Sequence, residues 1–323
     1  DGDGDMDVLS ASARDDTIAW YENDGSETFT AHPITTAAVY AVSVYAADVD
    51  GDGDMDVLSA SQNDHTIAWY ENDGSENFTT HPITTSADQA YSVYAIDVDG
   101  DGDMDALSAS MRDDTVAWYE NDGSENFTSH VITSSADAAA SVYAADVDGD
   151  GDLDVLSASI QDDTVAWYEN DGSESFITHK ITTSADGAPS VHAVDVDGDG
   201  DMDVLSTSQL DDTVAWYEND GSENFITHKI ITSADEAYSL YPVDVDRDGD
   251  VDVLSASYLD DTIAWYENDG SENFTAHVIS TSADGATSVY AADVDGDGDK
   301  DILLASYEDD TIAWYENKSS SRT

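Results

Sequence analysis

Five aspartates fall within nine residues in Asp48-Val49-Asp50-Gly51-Asp52-Gly53-Asp54-Met55-Asp56. Carboxylates at positions 1, 3 and 5 of such a stretch converge on a hard cation as the chain curls, and Gly53 at position 6 permits the sharp turn. Asp54 at position 7 offers its carbonyl, and Asp56 at position 9, entering the next strand, closes the shell. The pattern is a relative of the first half of an EF-hand loop. All-oxygen ligation without His or Cys selects Ca²⁺, and the crowd of carboxylates disfavours Mg²⁺. The loop recurs as Asp97, Asp99, Asp101, Asp103 and Asp105, then as Asp146, Asp148, Asp150, Asp152 and Asp154. It recurs again as Asp195, Asp197, Asp199, Asp201 and Asp203, as Asp244, Asp246, Asp248, Asp250 and Asp252, and as Asp293, Asp295, Asp297, Asp299 and Asp301. Arg247 and Lys300 occupy non-ligating positions. The first copy keeps Asp1, Asp3 and Asp7 but lacks the position-1 aspartate, so its site is expected to be weak unless something upstream completes it. Six complete Ca²⁺ sites and a partial seventh are therefore expected; matches in register argue against a merely solvated acidic turn.

The loops belong to a repeat. Trp20, Trp69, Trp118, Trp167, Trp216, Trp265 and Trp314 follow one another at a step of 49 residues, each within Trp-Tyr-Glu-Asn. One unit reads as four strands: 92–98, then 106–110 after the Asp/Gly loop, then 115–119, then 127–133 after the hairpin signal Asn121-Asp122-Gly123-Ser124. Val116-Ala117-Trp118-Tyr119 is apolar on both faces, as a sheet sandwiched between two neighbours requires. Four-stranded units repeated seven times predict an all-β, seven-bladed β-propeller. Small residues of the first two strands (Ala144, Ala145, Ser157, Ala158, Ser159) suit its narrow centre, with Trp and Tyr filling the wider wedge. Pro33 and Pro82 place the fourth strand at an edge. The expected organisation is one propeller over 1–317 with a tail at 318–323. Its first blade lacks a first strand and its last lacks a fourth. Three explanations stand open: flanking sequence is missing, the ring closes imperfectly, or a neighbouring molecule donates a strand.

Asp-Val-Asp-Gly-Asp-Gly-Asp-Met-Asp-Val-Leu, preceded by Ser-Val-Tyr-Ala and followed by Trp-Tyr-Glu-Asn-Asp-Gly-Ser, resembles the FG-GAP/VCBS repeat family across essentially the whole chain. That family includes the calcium-bearing blades of integrin α subunits and many secreted microbial proteins. The resemblance implies calcium ligands at Asp48, Asp50, Asp52 and Asp56, with Asp54 by its carbonyl, and at their equivalents 49 residues apart. The literal Phe-Gly and Gly-Ala-Pro signatures of integrins are missing, so integrin ligands do not transfer.

In a propeller the loops after the first and third strands share one face. In the third repeat that face collects Asp97, Asp99, Asp101, Asp103, Asp105, Glu120, Asp122 and Glu125, and the opposite face only Asp113, Asp114 and Asp137. The repeats diverge on the opposite face, where Arg14, Tyr91, Arg112, Tyr238, Tyr258 and Tyr307 are the candidate ligand-binding residues; drift where nothing packs explains the divergence equally. His32, His81, His130, His179, His228 and His277 occur one per blade on the fourth strand, too far apart to share a metal. Asn77, Asn126 and Asn273 in Asn-Phe-Thr, and Asn317 in Asn-Lys-Ser, are glycosylation sequons if the chain is secreted by a eukaryote.

Composition bounds the function. With 73 acidic residues against 8 basic ones among 323, the formal charge is −65, which excludes nucleic acid as a partner and disfavours an anionic membrane. Cysteine is absent, so disulfides and thiolates play no part. No apolar run approaches the length of a membrane span. Catalysis needs unlike groups meeting in one pocket, whereas these repeats offer one blade many times. The expected protein is a non-enzymatic, secreted or surface calcium-binding propeller, either a structural component self-associating through its incomplete end blades, or a lectin-like or adhesive module binding glycan or protein.

Overall fold

The computed structural model of the protein describes residues 2–173 and 175–318. Alternating apolar and turn-forming segments fold as β-strands, with no helix among the described residues and none long and apolar enough to cross a membrane. The strands form seven antiparallel sheets, the blades of a seven-bladed β-propeller. In the second blade Ala41–Ala47, Asp56–Ser61, Thr66–Asn72 and Phe78–Thr84 pair in chain order. The first blade (Val8–Ser12, Thr17–Asn23, Phe29–Thr35) and the seventh (Ala286–Ala292, Asp301–Ser306, Thr311–Tyr315) have three strands each, as the repeat phase requires. Pro33 and Pro82 lie on fourth strands that pair on one side only, where a missing N–H leaves no gap in a ladder.

Backbone contacts divide the chain into two compact units, one of Asp1–Ala144, Gly151–Asp162 and Ala166–His179, the other of Ala145–Asp150, Asp163–Val165 and Lys180–Thr323. Each has its own core, built between successive blades. In the first unit Leu58, Ile67 and Trp69 of the second blade pack against Ala90, Val93 and Ala95 of the third, and Phe127 closes on Trp69. In the second unit Leu205, Val214 and Trp216 meet Ala237, Leu240 and Val253. Trp69, Trp118, Trp167 and Trp216 are almost wholly buried, as expected for wedge residues.

The small second-strand residues are buried, but some are small for a second reason. Ser157 Oγ lies 3.0 Å from the Tyr168 hydroxyl, and the same pair recurs at Ser59–Tyr70, Ser108–Tyr119, Ser206–Tyr217 and Ser255–Tyr266. Each serine satisfies a buried phenol that would otherwise cost about 1–3 kcal/mol. The first strands also carry tyrosines whose rings meet at a tilt from blade to blade: Tyr45–Tyr94 and Tyr94–Tyr143 have ring centroids 4.8 and 4.9 Å apart, and Tyr241–Tyr290 are 4.4 Å apart. First-strand edges are capped from the preceding blade, with Val93 N–H donating to Ser43 Oγ and Val142 N–H to Ser92 Oγ, both at 3.3 Å.

Candidate metal centre

Local hydrogen bonds turn the loop carboxylates inward. In the third blade Asp97 accepts N–H bonds from Gly100 (2.8 Å) and Gly102 (3.0 Å), Asp99 from Asp101 (3.1 Å) and Asp101 from Asp103 (2.9 Å). Gly100 and Gly102 have φ of 75° and 100°, a region that L side chains enter only with strain. Four sets of three aspartates, each set within one unit, then have oxygens within 4.8 Å of one another: Asp48, Asp50 and Asp56; Asp97, Asp99 and Asp101; Asp195, Asp197 and Asp199; Asp244, Asp246 and Asp248.

That spacing fits a hard cation, since oxygens on opposite sides of a Ca²⁺ bound at about 2.4 Å lie about 5 Å apart. A second observation agrees. Asp48 Oδ1 and Asp293 Oδ1 are buried atoms with no hydrogen-bond partner, the condition of an oxygen shaped for a ligand outside the chain. Beside the third-blade loop a cavity of about 160 Å³ is lined by Val98, Asp99, Asp101, Trp118, Asp152, Asn170 and Gly172. The residues present fit Ca²⁺.

Position 9 has partners of its own. Asp56 is fully buried, its Oδ2 accepting Val49 N–H at 2.9 Å and its Oδ1 Asn72 N–H at 2.8 Å. The bonds recur at Asp105, Asp203, Asp252 and Asp301, so this carboxylate clamps its own loop to the end of the third strand. At Asp154 the bond from Asn170 N–H is 2.8 Å. Burial pushes the carboxyls of Asp105, Asp203 and Asp252 up to about 6, against the N–H donors that favour the anion. The buried indole N–H of Trp118 also faces Asp105 without reaching hydrogen-bond geometry.

Position 7 points elsewhere. The carboxylates of Asp54, Asp103, Asp152, Asp201 and Asp250 rest against Gly74, Gly123, Gly172, Gly221 and Gly270 of their own blades' hairpins, where an added Cβ would collide with them. The seventh blade has no such glycine. There Asp299 pairs at 2.8 Å with Arg247, which replaces a loop glycine in the sixth blade and takes its positive φ of 63°. Arg247 is thus the bridge between two loops. Of the first copy, Asp3 accepts Asp5 N–H and Asp7 accepts Asn23 N–H; Asp1 lies outside the described residues.

A sequence profile described as the FG-GAP-like repeat matches residues 1–59, 48–108, 97–157, 146–206, 195–255 and 244–304. The chain belongs to the FG-GAP-like repeat family. Among curated proteins no sequence matches. Solved structures similar to this FG-GAP-like chain share its fold at low identity. An Agrocybe aegerita lectin recognising non-reducing terminal N-acetylglucosamine is 16% identical, with a TM-score of 0.65 over 93% of this chain and 85% of the lectin. A putative 6-phosphogluconolactonase from Bacteroides fragilis is 13% identical, with a TM-score of 0.69 over 98% and 92%. A virginiamycin B lyase from Staphylococcus aureus is 11% identical, with a TM-score of 0.59 over 97% and 90%.

The remaining candidates separate. In the second unit Tyr238 and Tyr258 have ring centroids 6.2 Å apart, and the Tyr258 hydroxyl donates to Glu308 at 2.8 Å, which pushes the phenol up to about 12. Tyr307 is half-buried beside this pair, and Leu210 and Leu259 stand 65% and 62% exposed. In the first unit Arg112 lies 3.8 Å from Asp88, Arg14 is exposed and Tyr91 half-buried. Each fourth-strand His stacks on its blade's Trp and meets a Glu, as His81 does with Trp69 at 4.6 Å between centroids and Glu71 at 2.8 Å. Asn77, Asn126 and Asn273 are exposed, whereas Asn317 is half-buried and its Nδ2, the atom a glycan would take, donates to Val245 O.

Proposed function

We propose that this FG-GAP-like propeller is a non-enzymatic, extracellular calcium-binding protein with a structural, self-associating role. The observation that carries the calcium reading is the convergence of three aspartates within 4.8 Å in loop after loop. Asp48, Asp50, Asp52 and Asp56 would hold the ion in the second blade, and the matching residues would hold it in the others. Bound Ca²⁺ would neutralise carboxylates that otherwise repel, about 1 kcal/mol per pair at 4 Å even in water. Affinities of about 10⁻⁴–10⁻³ M, normal for extracellular modules, suit a protein outside the cell. Repetition of one blade supports a scaffold over an enzyme.

Self-association is supported by the outer blades. Val8–Ser12 is half-buried throughout, whereas its equivalent Asp56–Ser61 is buried throughout. Ile312 is 40% exposed where Ile67 is 0%. Exposed sheet edges recruit strands. Sedimentation velocity in millimolar Ca²⁺ tests the idea, with Ser10→Pro as the variant that spoils the edge. Concentration-dependent oligomers lost in the variant would support it, and a monomer at every concentration would overturn it.

The second reading is recognition at the Tyr238, Tyr258, Tyr307 and Glu308 patch. Leu259, exposed and next to Tyr258 in the chain, and a lectin among the fold relatives favour a glycan there. A glycan array with wild type and Tyr258→Ala tests it; binding unaffected by the substitution would refute it.

A further inference from the structure

At Asn121, Asn219, Asn268 and Asn317 the asparagine ending the third strand touches two loops at once. In the first unit Asn121 Nδ2 donates to Val49 O and to Met104 O, both at 3.1 Å, and its N–H donates to Asp105 Oδ1 at 2.7 Å. Val49 lies between Asp48 and Asp50 of the second-blade loop, while Met104 and Asp105 end the third-blade loop. The side chain is buried, so both donors are spent on these partners and no water can take over.

In the second unit the same contacts join into a continuous relay. Val147 O accepts from Asn219 Nδ2 (3.0 Å), Asn219 N–H donates to Asp203, and Asp203 accepts Val196 N–H. The carbonyl of that same Val196 accepts from Asn268 Nδ2 (3.4 Å), whose N–H donates to Asp252, which accepts Val245 N–H. Val245 O accepts from Asn317 Nδ2 (3.1 Å), whose N–H donates to Asp301, which accepts Val294 N–H. Every valine in this relay stands between the first and second aspartates of its loop.

We infer that this asparagine couples cation binding between successive loops, so that filling one loop raises the affinity of the next. The inference rests on the calcium reading above. A cation drawing in the aspartates on either side of Val196 fixes the Val196 peptide. Its carbonyl then holds Asn268, and Asn268 holds Asp252 and the next loop in their ligating geometry. Coupling needs a contiguous element whose two states both sites bias, and each loop, its carboxylates repelling one another when empty and neutralised when filled, is such an element. One neutral hydrogen bond per junction corresponds to about a fivefold gain in affinity per filled neighbour.

Calcium titration followed by calorimetry and by tryptophan fluorescence, in about 0.3 M KCl to screen charge repulsion, tests this. Wild type should show a Hill coefficient clearly above 1. Asn219→Ala with Asn268→Ala should bring it towards 1 while the number of ions bound is unchanged. Should those variants fail to fold, Asp244→Asn with Asp246→Asn disables one loop and leaves the asparagines intact. The flanking loops should then bind about fivefold more weakly. Ions bound independently in wild type, or flanking loops of unchanged affinity, would overturn the coupling while leaving the calcium reading standing. No binding heat and an unchanged melt in EDTA would overturn the calcium reading itself, and the coupling with it.

Discussion

Metal-free protein should lose stability as pH rises from 5 to 7.5. Asp105, Asp203 and Asp252 have folded pKa values of about 6 because burial disfavours their charge, against about 3.9 when unfolded. A raised carboxyl binds more protons folded than unfolded. Its stabilising contribution is therefore complete below about pH 4 and is lost as pH climbs through about 6. Two pKa units correspond to about 3 kcal/mol per group, so the three together are worth up to about 9 kcal/mol. About half of that is already lost by pH 5, leaving about 4 kcal/mol to be lost between pH 5 and 7.5. At about 2 cal/mol/K of unfolding entropy per residue, a chain of 323 residues would melt roughly 6 °C lower at pH 7.5 than at pH 5. That window lies where ordinary carboxylates are already ionised. Saturating Ca²⁺ should flatten the curve, because the ion stabilises the charged form and binds only the folded loop. Scanning calorimetry across this range, in EDTA and in Ca²⁺, makes the measurement, and comparison with Asp252→Asn isolates one buried carboxyl from all other titrating groups. A melt in EDTA that stays level or rises between pH 5 and 7.5 would refute the reasoning.

Other perturbations have sharper local causes. Trp118→Ala empties a fully buried wedge and should cost about 3–5 kcal/mol in denaturant unfolding. Gly74→Ala forces a Cβ into Asp54 at a φ of 70°, so it should cost at least about 1–2 kcal/mol and weaken Ca²⁺ in that blade's loop, read by calorimetric titration. Arg247→Gly should be nearly neutral in thermal melts, because relief of left-handed strain offsets the lost Asp299 pair; Arg247→Ala, which keeps the strain, should cost about 1–2 kcal/mol.

Blade number, strand order and the two short blades were legible because an unbroken step of 49 residues and hairpin glycines set phase and turns without tertiary information. Pro33 and Pro82 announced an edge through the donor they lack. The Asp/Gly loops and their clustering of aspartates were legible too, but the direction of each carboxylate was not. Spacing places a backbone and says nothing of Asp54 leaning onto Gly74, which lies beyond the following two strands. Asp56 read as a ligand, and its second task appears only when the end of the third strand is brought beside it. Asn121 read as a turn former. Its recurrence before every Asp-Gly turn was visible, but a bond to Val49, in the preceding blade, leaves no local signature. The fourth-strand histidines likewise kept the step of 49, as did the first-strand tyrosines except where His192 replaces one, and their ring partners emerged only from sheet pairing and blade packing.

The tyrosines that pass from blade to blade give the protein an optical gauge. Rings as close as those of Tyr45, Tyr94 and Tyr143 share their electronic excitation, so their absorption bands split into a couplet of circular dichroism whose sign follows the handedness of the row and whose size falls steeply with separation. A slight spreading of adjacent blades, too small to alter the far-ultraviolet signal of the strands, would shrink that couplet. Stress on the array, whether from temperature, acid or a pulling neighbour, can therefore be read without any attached label.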